Sequence, residues 1–180
     1  MRCTTVPTVG AITIHRGDIT ADVQADAVVN AANAGLLGGG GVDGAIHRAA
    51  GPSVLEECRA LGGCQIGEAK VTKAGRLKAK IIVHAVGPVW RGGGHGEEAA
   101  LASCYRRALE LAAAQGCRRV ALPAISTGAY GYPLHAAAQV TIASLQRALA
   151  DNPKVDEARV WLFSQESYDV FAAALAGARG

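Results

Sequence analysis

Aromatic side chains are scarce in this sequence: two Trp, two Phe and four Tyr in 180 residues, 4% of the chain. With a single Met and half of all positions hydrophobic, a core must be assembled mainly from Ala, Val, Leu and Ile. Charged residues make up only 18%, and the net charge is +3. So small an excess favours an anionic ligand slightly and does not by itself argue for nucleic acid. The five cysteines (Cys3, Cys58, Cys64, Cys104, Cys117) form no C-x-x-C pair, so neither a zinc ribbon nor a secreted disulfide framework is indicated. Nothing in the linear sequence resembles a metal-ligand cluster, and no metal or cofactor is inferred. The longest apolar runs fall short of a membrane span, and no apolar leader follows Met1. A reducing, cytoplasmic setting without a membrane partner fits these absences best.

The positive charge that exists concentrates at Lys70, Lys73, Arg76, Lys78 and Lys80. Alternation with Val71, Leu77 and Ile81 reads as the solvated outward side of two strands, with a phosphate track for RNA as the alternative. Length suits one domain over residues 1–180, its core from about 12 to 175 behind a short N-terminal tail. "AITIHRG" reads as a strand closed by Gly17. "AVVNAAN", "KIIVHAVG", "RRVALPAI" and "RVWLFS" are apolar runs of the length of buried strands, and "EAKVTKAG" is a more exposed one. Between them, Leu101, Cys104, Tyr105, Ala108, Leu109 and Ala112 keep helical spacing, as do Leu134, Ala137, Ala138, Thr141, Ile142, Leu145 and Leu149. Buried strands alternating with one-sided helices make an α/β layer protein.

What the chain has in quantity is glycine, 23 residues, four of them consecutive in "NAANAGLLGGGGVDGAIH". Each glycine costs about 0.5–1 kcal/mol relative to alanine in regular structure, so four together suggest that side chains would obstruct something. The run lies where a buried strand hands over to a helix, whose free N–H groups suit phosphate. Gly39, Gly41 and Gly44 satisfy the dinucleotide fingerprint literally, but a strand already precedes this one and Glu68 lies before its strand, against a Rossmann reading. A turn with no ligand remains the plainer alternative. A second small, glycine-bearing loop, "STGAYGYP" from Ser126 to Pro133, also follows a buried strand, and the two would wall a cleft with Tyr130 and Tyr132 as aromatic surface. "GGGHG", Gly92 to Gly96, reads as a flexible insert in which His95 is exposed, and His84 reads as a satisfied core histidine. Asp43 and His47 are four apart on one helix and share the face that begins at the tetraglycine. Stabilisation by the helix dipole is the plain account of Asp43. Placing it beside a phosphate-binding loop would instead suit a carboxylate that orients a water for attack. Glu56 and Glu57 on the next helix could lie near the cleft, though a solvated helix face explains them at least as well. No G-x-S-x-G elbow is present, and no cysteine lies near a glycine-loop turn.

"GDIT", "VVNAANAGLLGGGGVDGAIHRAAGP", "HAVGPVW" and "LPAISTGAYGYP" occur in the order and spacing of macrodomains. The chain resembles the MacroD-type branch of ADP-ribose hydrolases over nearly its whole length. The resemblance implies a three-layer α/β/α sandwich with a central mixed sheet, binding ADP-ribose across the carboxyl edge. Asp18 would accept the adenine amino group, with Ile19 lining that pocket and Phe163 packing on the base. Gly40, Gly41 and Val42 would face Ser126, Thr127, Gly128, Ala129 and Tyr130 across the diphosphate and distal ribose. Asn33, Asp43 and His47 would form the catalytic set, Asp43 activating the water. The implied activity is hydrolysis of ester-linked ADP-ribose in mono-ADP-ribosylated acidic side chains and O-acetyl-ADP-ribose, with ADP-ribosylated proteins as partners and a monomer expected. The alternative is a reader module that binds ADP-ribose without cleaving it. Taken alone, Asp18 would be a helix cap, Phe163 core and Asn33 a turn residue.

Overall fold

The computed structural model describes residues 10–179. The expected tail up to residue 9, with Cys3, lies outside them. In chain order the elements are β1 (Ala11–Arg16), a 3-10 turn (Ile19–Ala21), β2 (Ala27–Ala32), α1 (Gly41–Ala50), α2 (Pro52–Leu61), β3 (Ala69–Lys73), β4 (Ile81–Val86), α3 (Glu97–Ala114), β5 (Arg119–Pro123), α4 (Leu134–Asp151), β6 (Glu157–Leu162) and α5 (Gln165–Ala178). The sheet runs β1-β6-β5-β2-β4-β3, parallel throughout except for the edge strand β3, which pairs antiparallel with β4.

Strand alternation divides the apolar side chains between two layers. Ala27 and Val29 of β2, with Ile81, Val83 and Ala85 of β4, join the larger core with α3, α4 and α5. Val28 and Ala32, with Ile82 and Val86, join the smaller core with α1 and α2. The result is the three-layer α/β/α sandwich around a mixed sheet. All six apolar positions expected on the inner face of α3 are fully buried. That helix begins a turn earlier than its apolar period predicts, at Glu97, because a first turn of Glu97 and Glu98 suits the positive helix end and carries no hydrophobic signal. Among the described residues no helix is long and apolar enough to cross a membrane. The four described cysteines are free and buried.

Three expectations change. Only Lys70 and Lys73 of the basic group lie on a strand; Arg76, Lys78 and Lys80 occupy the turn between β3 and β4. Gly75 forces that turn, with φ +57 and Ala50 O only 2.1 Å from where a Cβ would stand. The Gly92–Gly96 insert is anchored: the buried Glu97 carboxylate accepts the backbone N–H groups of Arg91 (3.1 Å), Gly93 (2.7 Å) and His95 (2.6 Å). The His95 side chain is exposed, as expected. Tyr132 does not face a cleft; it is buried with its ring 4.7 Å from that of Trp90.

Candidate functional site

β1, β6, β5 and β2 are adjacent and parallel, so their carboxyl ends form one continuous edge. Along it stand Asp18 after β1, Phe163 after β6, the Ser126–Tyr130 loop after β5, and Gly38–Gly41 after β2. Residues from four parts of the chain thus share the location where open α/β sheets take ligands. Asp18 does cap the 3-10 turn, but both bonds, from Thr20 N (2.8 Å) and Thr20 Oγ1 (2.7 Å), fall on Oδ1, leaving Oδ2 free of them. Ile19 is buried in the smaller core. Asp22 braces this corner: its Oδ2 accepts from Arg159 Nε and Trp161 Nε1, both at 2.7 Å, tying the turn to β6. Burial opposes ionisation of Asp22, yet the bonds from Arg159, Gln24 and Trp161 outweigh it and lower its pKa. Phe163 is not core: it is 86% exposed at the end of β6.

Two non-glycine residues among those described have positive φ, and each lies in one of the two loops: Leu36 (59°) and Ser126 (67°). Such conformations cost on the order of 1–3 kcal/mol and persist where surrounding packing imposes them. Leu36 is held by its buried side chain. Ser126 is held by neighbours. Tyr105 of α3 donates its hydroxyl proton to Pro123 O (2.9 Å) and accepts from Ile125 N (3.0 Å). Tyr132 N donates to Ser126 O (2.9 Å), Trp90 N to Tyr130 O (2.8 Å), and Thr127 Oγ1 to Ala124 O (2.8 Å). Gly87 of "HAVGPVW" lets the loop pack close, since a Cβ there would displace the buried Ser126 Oγ and Ile125 Cγ2, the former bonded to none of the described residues. Gly128 and Ala129 are exposed at the loop tip and Tyr130 is half-buried.

In the first loop Asn33 Nδ2 donates to Gly38 O at 2.8 Å, so the turn role holds. Gly39, Gly40 and Gly41 are exposed, and a Cβ on Gly40 or Gly41 would meet no protein atom within 4 Å. Gly40 has an ordinary, extended φ of −95°. Neither sterics nor backbone conformation therefore demands glycine at position 40. Gly44 differs: its Cβ would be 2.5 Å from Gly39 O, so it lets helix α1 pack under the loop. Val42 packs half-buried on the smaller core.

Asp43, in the first turn of α1, is buried. Its Oδ1 accepts from Asn30 Nδ2 at 2.7 Å and lies 3.3 Å from His47 Nε2. Its Oδ2 faces the glycine loop, 3.2 Å from where a Cβ of Gly39 would stand, with Asn33 Nδ2 3.6 Å from the same point. One carboxylate oxygen is anchored and the other is turned to the bare backbone. Asn30, fully buried, was hidden inside what reads as an apolar strand; its alternation with Val28 and Ala32 on the smaller-core side was the available signal. Its Oδ1 accepts no hydrogen bond from the described residues. Beside it His84 is satisfied, with Nδ1 3.1 Å from Asn30 Nδ2 and Nε2 2.9 Å from Thr72 Oγ1. Burial, then the proximity of His47, push its pKa down to about 4. Glu57 Oε2 accepts from Lys73 N on β3, and Glu56 is exposed, as a solvated helix face requires.

The fold does bring together a trio the linear sequence did not reveal: His47, Cys58 and His84 place possible ligand atoms within 4.8 Å of one another. Burial, reinforced by Asp43 and Glu57, pushes the Cys58 thiol up to about 11. Its Sγ lies 3.6 Å from His84 Nε2, which already meets Thr72.

Known proteins share this sequence pattern and fold. A protein of Chlorobaculum tepidum described as a macro domain-containing protein is 54% identical over 92% of this chain and 96% of its own length. One from Cronobacter sakazakii, named O-acetyl-ADP-ribose deacetylase, is 50% identical over 88% of this chain and 90% of its own. The solved structure of the Oceanobacillus iheyensis macrodomain with ADP superposes with a TM-score of 0.91 at 38% identity, covering 97% of this chain and 94% of that one. The family model described as Macro domain matches residues 29–141, from β2 into α4, and the chain belongs to the macro domain family.

Proposed function

We propose that this protein binds ADP-ribose along the carboxyl edge of its sheet and hydrolyses ester bonds at the distal ribose, in mono-ADP-ribosylated Asp or Glu side chains and in O-acetyl-ADP-ribose. The observation that carries the reading is Asp43, with Oδ1 held by Asn30 and Oδ2 turned to the Gly39 backbone. Four adjacent strand ends span roughly 14 Å, room for an extended nucleotide sugar. At the β1 and β6 end, Asp18 Oδ2 accepts the adenine amino group, and the exposed ring of Phe163 packs on the base beside Ile19. The backbone N–H groups of Gly40, Gly41 and Val42 and of Ser126 to Tyr130 close on the diphosphate from two sides. The Trypanosoma brucei macrodomain, 40% identical, has been solved in complex with ADP-ribose, which supports that ligand here.

The distal ribose lies between Tyr130 and Asn33, beside Asp43. Asp43 Oδ2 takes a hydrogen bond from one water and aims its lone pair at the ester; His47 supports the carboxylate from the same helix face. Water contributes hydroxide to one fragment and a proton to the other, so the products are ADP-ribose and a carboxylic acid, and Asp43 ends as it began. The test is turnover of O-acetyl-ADP-ribose and of an auto-modified ADP-ribosyl transferase, with calorimetric titration of ADP-ribose alongside. Release of acetate and of ADP-ribose is expected. Tight binding without release would make the protein a reader module, and no heat on titration would overturn both readings.

A further inference from the structure

We propose that Asn30 is a positioning residue for Asp43, and that a hydrogen-bonded line from Thr72 through His84 fixes the way the Asn30 amide points. The inference rests on the hydrolytic reading of Asp43. Two polar side chains occupy the middle of strands whose neighbours on the same face are Val28 and Ala32, and Ile82 and Val86. Asn30 and His84 are direct register partners in the β2–β4 pair, so sheet geometry sets their rings and amide side by side.

Each donor and acceptor in the line has one consistent assignment. An ionised carboxylate only accepts, so the group 2.7 Å from Asp43 Oδ1 must be the Asn30 amide nitrogen; the flipped amide would set oxygen against oxygen. The second amide hydrogen then points to His84 Nδ1 at 3.1 Å, which must offer a lone pair. His84 therefore carries its proton on Nε2 and donates to Thr72 Oγ1 at 2.9 Å, while the Thr72 hydroxyl donates to Lys73 O at 2.9 Å. A pKa near 4 keeps His84 in this neutral form at physiological pH. A protonated ring would turn a second N–H at the amide and reverse it. Asn30 Oδ1, which accepts no hydrogen bond from the described residues, fits the same account, since the nitrogen side of the amide carries both bonds.

The experiment combines a variant with a spectroscopic reading of the unaltered protein. In Asn30→Ala, kcat on O-acetyl-ADP-ribose should fall on the order of 10²-fold, the effect of a reacting group left about 1 Å astray, with ADP-ribose affinity unchanged. Asn30→Asp keeps the shape and makes the effect pH-dependent. Two carboxylates this close share one proton at low pH, so protonated Asp at position 30 donates to Asp43 and activity persists; when that proton leaves, repulsion replaces the bond. The variant should show an alkaline limb in kcat that the wild type lacks, which a loss of stability alone would not produce. A wild-type pH profile in Asn30→Asp, or full kcat in Asn30→Ala, would overturn the proposal. Nitrogen NMR of wild-type His84 reads the line without turnover: the Nε2–H tautomer supports it, and the Nδ1–H tautomer sinks it even if the enzyme is active. A wild type that binds ADP-ribose but releases nothing would refute the hydrolytic reading separately.

Discussion

The chain contains two glycine-rich stretches that each run into a helix with an acidic residue in its first turn, and they do opposite things with that acid. In "GGGHG" the Glu97 carboxylate is consumed by the backbone, accepting three N–H groups of the loop before it. In "GGGG" the Asp43 carboxylate accepts no backbone N–H of its loop; side chains from β2 and α1 hold one oxygen, and the second faces the loop without taking a bond from it. The first arrangement is a closed fastening. The second is an open one, oriented from below and free above. Composition and helix position are nearly the same in both, so what separates the closed carboxylate from the open one is where it finds its donors.

The sharpest test of that contrast is Asp43→Ala, which should lower kcat on ester-linked ADP-ribose by about 10²- to 10⁴-fold while calorimetry finds binding nearly intact. A large loss of affinity would recast Asp43 as a ligand anchor. Next in size is Gly44→Ala, where the added methyl meets Gly39 O at 2.5 Å; about 1–3 kcal/mol of stability should be lost in a denaturant titration, and turnover with it as the loop lifts. Glu97→Gln should lower the thermal midpoint by a few degrees and leave kcat far less affected than Asp43→Ala does. Comparable losses of turnover would erase the distinction between the two loops.

The pH dependence of Glu97 has a definite sign. Burial opposes its ionisation, but the backbone N–H groups of Gly93, Arg91 and His95 outweigh burial and lower its pKa. Its stabilising effect is therefore complete above the ordinary value of 4.5 and fades as pH falls through the lowered folded-state value. Thermal melts of wild type and Glu97→Gln should differ at pH 7 and converge in strong acid. The smallest effect belongs to Gly94→Ala: with ordinary φ and no atom within 4 Å, it should stay within about 0.5 kcal/mol of wild type.

Much of the proposed site was legible in the chain because it lies in contiguous motifs: the tetraglycine, the Asp43 and His47 spacing, and the Ser126–Tyr130 loop. Phe163 was legible only through family resemblance, since an aromatic after a strand ordinarily reads as core. Asn30 was missed because its neighbours are apolar and a single polar letter does not break an apolar run. Glu97 was missed for the reverse reason: its surroundings are so polar that a buried carboxylate looks like surface.

Periodicity and glycine placement by themselves determined the alternation of strands and helices, the inner faces of α3 and α4, and the existence of two bare loops after buried strands. These follow from local physics: side-chain direction repeats at fixed intervals, and glycine alone tolerates a positive φ without strain. Only the tertiary structure decided which strand lies beside which, and with it that Asn30 meets His84, that Ser126 packs close to Gly87, and that Glu97 closes one loop while Asp43 stays open to the other. Those pairings depend on register and on packing between residues far apart in sequence, for which no local preference exists.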